Sequence, residues 1–247
     1  MSAWNVGKVV EHKQWNNTLY SLYVESDIEP FEAGQFVKIA LEINGELVGR
    51  PYSLVNPPDS QPLELFYIEV PNGLLTSHLV NLKPGDNIQI ATRAHGFMIL
   101  DEVPQAKHLW LMATGTGVGP FLSMLMTDKP WQRFERAILV YAVRTLSDLC
   151  YQERITQILA MHPGQFSYIP FLSRESSDFA MTGRIPQAII DGRLEARAGI
   201  GISAEDSQVM LCGNPQMVKE TNNTLTERGL KKHRRFEPGQ ITVENYW

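Results

Sequence analysis

HLWLMATGTGVGP, residues 108–120, is the stretch whose reading decides the fold. Its opening run, HLWLMA, is apolar without alternation, the pattern of a strand buried on both faces in a parallel sheet. Gly115, Gly117 and Gly119 then make a tight turn that lets a backbone approach a ligand closely. Pro120 suits the first turn of a helix, where its missing N–H would have had no partner. A strand, a glycine turn and a helix N-terminus together form a site for a pyrophosphate, which meets free N–H groups and the positive end of the helix dipole. The same residues also describe a plain strand-to-helix turn. Both readings stand at this point.

Downstream, three more apolar runs follow: AILVYAV (137–143), FSYIPFL (166–172) and QVMLC (208–212). Stretches of helical length separate them, including residues 150–161. Strands alternating with helices indicate a parallel sheet covered on both faces, and ligands of such sheets bind outside the carboxyl ends of the strands. Val143 and Arg144 stand at one such end, Ser173 and Arg174 at the next, with Arg184 ten residues on. An acidic side chain after the second strand would hold a ribose 2′-hydroxyl, whereas Arg144 there suits a 2′-phosphate, which favours NADP over NAD. The last run delivers Cys212, Gly213 and Asn214 to the same edge. Cys212 is either a small buried hydrophobe or a contact for nicotinamide.

Upstream the pattern changes to short alternating runs split by Pro, Gly and Asn: TLYSLYVES (18–26), QFVKIALEI (35–43), LELFYIEV (63–70) and DNIQIAT (86–92). Tyr20, Leu22 and Val24 share one face. Such runs predict an antiparallel sandwich or barrel, with one helical stretch, LLTSHLVNL (74–82), stopped at KPGD. The boundary falls near residue 100, giving an antiparallel β-barrel over 1–100 and a Rossmann-like parallel α/β domain over 101–247. Within the first part, GRPYSLVN (49–56) stands out. Arg50 offers a phosphate ligand, Tyr52 a flat stacking surface and Ser53 a small hydrogen-bonding group. Strand alternation puts Arg50 and Tyr52 on one side and Ser53 on the other. An ordinary strand has the same composition.

Charge is uneven. Residues 1–98 hold six basic and eleven acidic side chains, and the remainder holds sixteen of each, including eleven of the thirteen arginines. The net charge of −5 gives no reason to expect nucleic-acid binding. Two cysteines, Cys150 and Cys212, exclude a disulfide framework and a cysteine-ligated iron–sulfur or zinc site. Free thiols suit the cytoplasm. No metal-spaced histidine pair or hydrolase motif is present. The N-terminus lacks the basic and apolar regions of a secretory signal, and no apolar run approaches the ~20 residues of a membrane span. A cytoplasmic protein without a membrane segment is expected.

Taken together, Arg50-Pro51-Tyr52-Ser53, Gly115-Thr116-Gly117-Val118-Gly119-Pro120 and Cys212-Gly213-Asn214-Pro215-Gln216-Met217 resemble the flavin, dinucleotide and C-terminal motifs of the ferredoxin–NADP⁺ reductase superfamily. Within it, the sequence is most similar to the bacterial flavodoxin/ferredoxin–NADP⁺ reductases, which end in an aromatic residue beside the flavin, as this chain does at Tyr246-Trp247. The resemblance implies FAD bound without a covalent link and NADP(H) as substrate. Arg50 would bind the flavin pyrophosphate, and Tyr52 would stack on the ring beside Pro51. Ser53 would lie near N5, the atom that accepts hydride. Tyr67, Ile68, Glu69, Leu74, Leu75 and Thr76 would add FAD contacts. Thr116 would touch both ligands, and Tyr246 and Trp247 would pack on the cofactor. Gly115, Gly117, Val143, Arg144, Ser173, Arg174, Arg184, Cys212, Gly213 and Asn214 would face NADP. Ser53, Cys212 and Trp247 would stand at the reacting centre.

The implied activity passes electrons from NADPH through FAD to a one-electron carrier, flavodoxin or ferredoxin, by a monomeric enzyme. The rivals are a stand-alone flavin or oxygenase reductase and a dinucleotide-binding module without turnover. Near the end, RGLKKHRRF places Arg228, Lys231, Lys232, Arg234 and Arg235 within eight positions. This run is either a solvated helix end or a docking patch for an acidic carrier.

Overall fold

The computed structural model describes residues 3–245. Its first half is an antiparallel half-barrel of β1 (Trp4–Gln14), β2 (Leu19–Glu25), β3 (Phe36–Ile43), β4 (Glu46–Ser53), β5 (Leu63–Ile68) and β6 (Asn87–Ala91). The strand order is β4-β3-β6-β1-β2-β5. Chain leaving β4 bridges Leu54 to Leu65 of β5, which draws the two edge strands together. Tyr20, Leu22 and Val24 lie in one apolar cluster inside this half-barrel. The helical stretch at 74–82 is only one turn, α1 (Thr76–Leu79).

β1 carries the apolar alternation of its neighbours only at Val9, which is buried in the same cluster. Val6 points outward, 61% exposed, while Gly7 fills the inward position. A Cβ on Gly7 would stand 2.6 Å from Val24 Cγ1. The central strand therefore pairs β2 on one side and β6 on the other with a glycine where the pattern asks for a hydrophobe.

The second half is a parallel sheet of β7 (His108–Thr114), β8 (Arg136–Val143), β9 (Phe166–Leu172), β10 (Met181–Thr182), β11 (Ser207–Gly213) and β12 (Ile241–Asn245), in the order β10-β9-β8-β7-β11-β12. Helices α2 (Gly119–Leu125), α3 (Lys129–Arg133), α4 (Gln152–Met161), α5 (Ile185–Ile190), α6 (Arg193–Ala198) and α7 (Pro215–Glu227) connect the strands. Leu109, Leu111, Leu139 and Tyr141 enter one cluster, and Trp110, Met112, Ile138 and Val140 the other. Both faces are thus covered, as the unbroken apolar runs require. The strand order reverses direction between β7 and β11, the point where open α/β sheets hold ligands. No helix among the described residues is long and apolar enough to cross a membrane.

The two halves share core. Leu19, Val55 and Phe66 of the half-barrel join the cluster on one face of the parallel sheet. Polar groups cross the same seam. Glu64, its side chain only 3% exposed, accepts from Arg154 Nη1 at 2.8 Å and from the Tyr23 hydroxyl at 2.9 Å. Trp15 Nε1 donates to Ser21 Oγ at 2.8 Å, and Ser21 Oγ lies 2.7 Å from the hydroxyl of Tyr151. Ser123 on α2 donates to the Asn56 carbonyl at 2.7 Å, while Asn56 Oδ1 accepts from Glu64 N at 2.8 Å.

Candidate functional site

A cavity of about 420 Å³ opens where the carboxyl edge of the parallel sheet meets β4 and β5. The half-barrel contributes Arg50, Pro51, Tyr52 and Ser53 to one wall, and Phe66, Tyr67 and Ile68 to another. Val70, Gly73, Leu74, Leu75 and Thr76 form a lip, on which Leu74 is 65% and Val70 44% exposed. The parallel sheet contributes Thr116, Glu244 and Asn245. Phe36 completes the lining. Residues from both halves are needed to enclose it.

Strand alternation places Ser53 away from Arg50 and Tyr52, yet all three line the cavity. The reason is the crossing after β4. Leu54 N bonds the Gln35 carbonyl and Leu54 then bridges to Leu65, so the chain turns out of the strand at Ser53. Burial pushes the Tyr52 hydroxyl up to about 12, so it is protonated at neutral pH. Its ring meets Tyr67 edge-on, with centroids 6.2 Å apart. Tyr67 is held from behind. His12 Nδ1 lies 2.8 Å from the Leu82 carbonyl, an acceptor only, so that nitrogen carries the proton and Nε2 accepts from the Tyr67 hydroxyl at 2.9 Å. Glu69 does not line the cavity. Its N–H bonds the Thr18 carbonyl as the chain turns away after β5.

Glu244 was not singled out in the sequence. It enters on β12, opposite Cys212 of β11, and is hydrogen-bonded to Ser53. Burial raises its carboxyl to about 7, with the Ser53 bond opposing the shift. Its Oε1 is buried without a partner among the described residues. A protonatable carboxyl thus faces an apolar cavity beside a hydroxyl. Cys212 is fully buried and does not line the cavity. Tyr246 and Trp247, expected at this site, lie outside the described residues.

The glycine turn after β7 has a role within the fold as well. Gly115 adopts φ +54 with open space at its Cβ position. A Cβ on Gly117 would stand 2.6 Å from the Cys212 carbonyl oxygen, so this glycine lets the turn close on β11. A Cβ on Gly213 would collide with Thr114 Oγ1 at 2.3 Å, the atom that accepts from Asn214 N at 2.8 Å. Asn214 caps α7, its Oδ1 accepting from Gln216 N and Met217 N. The seam's close packing extends here: a Cβ on Gly119 would lie 3.2 Å from Val55.

The three arginines gather at the carboxyl edge. Arg174 N bonds the Arg144 carbonyl at 2.9 Å, and Ser173 N bonds the Val143 carbonyl at 3.0 Å. Gly183 N bonds the Leu172 carbonyl at 2.9 Å, which brings Arg184 to the same edge. All three arginines are exposed, and among the described residues none of their guanidinium groups is paired with a carboxylate. By contrast, Arg228 is engaged by Glu195 through two bonds of 2.7 and 2.8 Å.

An antiparallel half-barrel and a parallel sheet thus enclose one cavity between them, with cationic groups at the sheet's carboxyl edge. An oxidoreductase FAD-binding domain matches residues 8–96 and an oxidoreductase NAD-binding domain matches residues 111–223. The flavodoxin/ferredoxin–NADP reductase of Escherichia coli (strain K12) is 45% identical over 248 residues, with 100% of both chains covered. The ferredoxin–NADP reductase of Pseudomonas aeruginosa is 36% identical, covering 99% of this chain and 98% of its own. A crystal structure of a ferredoxin NADP⁺ reductase from Neisseria gonorrhoeae with bound FAD and NADP superimposes with a TM-score of 0.94, at 28% identity over the full length of both. The chain belongs to the flavodoxin/ferredoxin–NADP reductase family, whose cofactors are FAD and NADP(H).

Proposed function

We propose that this chain passes electrons from NADPH to flavodoxin or ferredoxin, with FAD in the cavity between the two halves. One observation carries the reading: the cavity is enclosed jointly by Tyr52 and Ser53 on the half-barrel and by Thr116 and Glu244 on the parallel sheet. A site built that way holds two ligands against each other. FAD, when bound, takes electrons from the nicotinamide in pairs and gives them up singly to a carrier. The apolar lip at Leu74 and Val70, the aromatic wall at Tyr52 and Tyr67, and Glu244 Oε1, which has no partner among the described residues, all fit a large aromatic cofactor with polar edges.

In this reading Arg50 pairs with the FAD pyrophosphate, and Tyr52 with Pro51 orients its ring. Ile68, Leu75 and Thr76 complete the wall. Glu244 and Ser53 hold a proton beside the reacting edge. Gly115, Gly117, Thr116 and Gly213 receive the nicotinamide half of NADP, and Arg144, Arg174, Arg184 and Ser173 receive its 2′-phosphate. We take 1–100 and 101–247 as the functional halves. The protein would act as a monomer in the cytoplasm, where its buried thiols Cys150 and Cys212 stay reduced.

The test is direct. Protein loaded with FAD under anaerobic conditions should be bleached by NADPH and then reoxidised by a purified bacterial flavodoxin or [2Fe–2S] ferredoxin. Bleaching followed by turnover with free flavin alone would make it a flavin reductase instead. Sizing chromatography tests the monomer.

A further inference from the structure

Arg144 is exposed, yet the backbone that carries it is fixed on both sides. The peptide that follows it, between Arg144 and Thr145, has both of its polar atoms engaged. The Arg144 carbonyl accepts from Arg174 N at 2.9 Å, and Thr145 N donates to Asp148 Oδ2 at 3.1 Å. The Thr145 hydroxyl donates to the same oxygen at 2.9 Å. Thr145 and Asp148 thus form a capping box around a single 3₁₀ turn, Leu146–Asp148.

The other oxygen of Asp148 reaches across the seam. Its Oδ1 accepts at 2.9 Å from Nδ2 of Asn16, which lies in the turn between β1 and β2 of the half-barrel. The same amide nitrogen donates to the Ser147 carbonyl at 3.1 Å. The Asn16 amide has one orientation only, because its Oδ1 accepts from Thr18 N at 3.0 Å and from Leu19 N at 2.9 Å. The two oxygens of Asp148 therefore take donors from different halves of the molecule. One carboxylate joins the β1–β2 turn to the backbone immediately after Arg144.

We propose that Asn16 and Asp148 are positioning residues for Arg144, so that the half-barrel helps to set the preference for a nucleotide bearing a 2′-phosphate. This inference rests on the reading of Arg144 as a ligand of that phosphate. An arginine fixed through its guanidinium has its donors occupied. One fixed through its backbone keeps its planar N–H fork for a phosphate. Such a fork binds only in register, and a shift of about 1 Å in a positioned group is costly.

The experiment is an exchange of the two side chains. Asn16→Asp keeps the oxygen that Thr18 and Leu19 need but sets a carboxylate oxygen against Asp148. Asp148→Asn leaves one oxygen for two sets of donors, those of Thr145 and of Asn16. The double variant Asn16→Asp/Asp148→Asn restores the bond with its direction reversed and the net charge unchanged. In FAD-loaded protein, calorimetry with adenosine 2′,5′-bisphosphate should give a Kd about fivefold higher in each single variant and close to wild type in the double. With a small neutral quinone as acceptor, kcat/KM for NADPH should follow the same order while that for NADH stays constant. A loss in both single variants separates positioning from a field effect, because removing a carboxylate in Asp148→Asn would by field alone tighten phosphate binding. If Asn16→Asp does not fold, Asp148→Asn and the double variant make the same comparison. Arg144→Ala is measured alongside. If it weakens bisphosphate binding while both single variants match wild type, the positioning role is refuted and the 2′-phosphate reading stands. If Arg144→Ala itself binds like wild type, both are refuted. Single variants that shift in opposite directions, or lose NADH as much as NADPH, or are not rescued in the double, also overturn the positioning role.

Discussion

Two arginines, Arg154 and Arg144, show how differently this chain uses one side chain. Arg154 reaches across the seam to Glu64, which is buried and also bonded by Tyr23. Arg144 stands exposed at the carboxyl edge of β8 beside Arg174, with no carboxylate partner among the described residues. The contrast extends to their surroundings. At the seam, Trp15, Ser21, Tyr151 and Glu64 satisfy one another. At the cavity, Leu74 is 65% exposed and Glu244 Oε1 lacks a partner among the described residues. The groups that bridge the two halves are completed by their own chain, whereas Arg144, Arg174 and Glu244 leave polar atoms open at the side where the family's ligands belong.

The strongest way to break this comparison is at the seam. Arg154→Met leaves the Glu64 carboxylate buried without its cation and should destabilise the protein by about 3–5 kcal/mol. Adding Glu64→Gln should recover most of that loss, as urea unfolding of the three proteins would show. If Arg154→Met unfolds like wild type, the seam is not held by this pair.

Glu244 gives the next effect, in the FAD-free protein. Its carboxyl is raised in the fold from 4.5 to about 7, so between those values the folded state binds a proton that the unfolded chain does not. The stabilisation is complete below pH 4.5 and lost as pH rises through 7, a change of up to about 3 kcal/mol. Glu244→Gln should remove that slope in a comparison of unfolding at pH 5 and pH 8. Tyr52→Ala should come third, weakening FAD binding by about 2 kcal/mol, roughly thirtyfold in a fluorescence titration. Its effect on the unfolding of the FAD-free protein should be much smaller than that of Arg154→Met. A variant that keeps FAD as tightly as wild type would remove Tyr52 from the ligand class.

The parallel sheet was readable because its strands are buried on both faces; FSYIPFL coincides with β9. The half-barrel was partly readable, because β1 hides its inward face behind Gly7. β12 was missed because five residues, one of them a glutamate at the cavity, carry too little apolar pattern. With it went Glu244. Phe36 was recoverable. Asn44-Gly45, both at positive φ, is a hairpin signal, and counting outward from it pairs Ile43 with Glu46 and, at the far end, Phe36 with Ser53. The seam could not be read at all. Glu64 and Arg154 are distant in sequence, and nothing local to either says that they meet.

The smallest predicted effect tests the central claim most directly. If unsaturated arginines at the carboxyl edge hold the 2′-phosphate, Arg144→Ala should cost about 1.5 kcal/mol of NADPH binding, near a tenfold rise in KM, with Arg174 and Arg184 still in place. KM for NADH, which lacks that phosphate, should not move. The measurement is the ratio of kcat/KM for NADPH and NADH in wild type and Arg144→Ala, with flavodoxin as acceptor. A ratio that falls about tenfold through NADPH alone is the predicted result; equal losses with both nucleotides, or no loss with either, would contradict it.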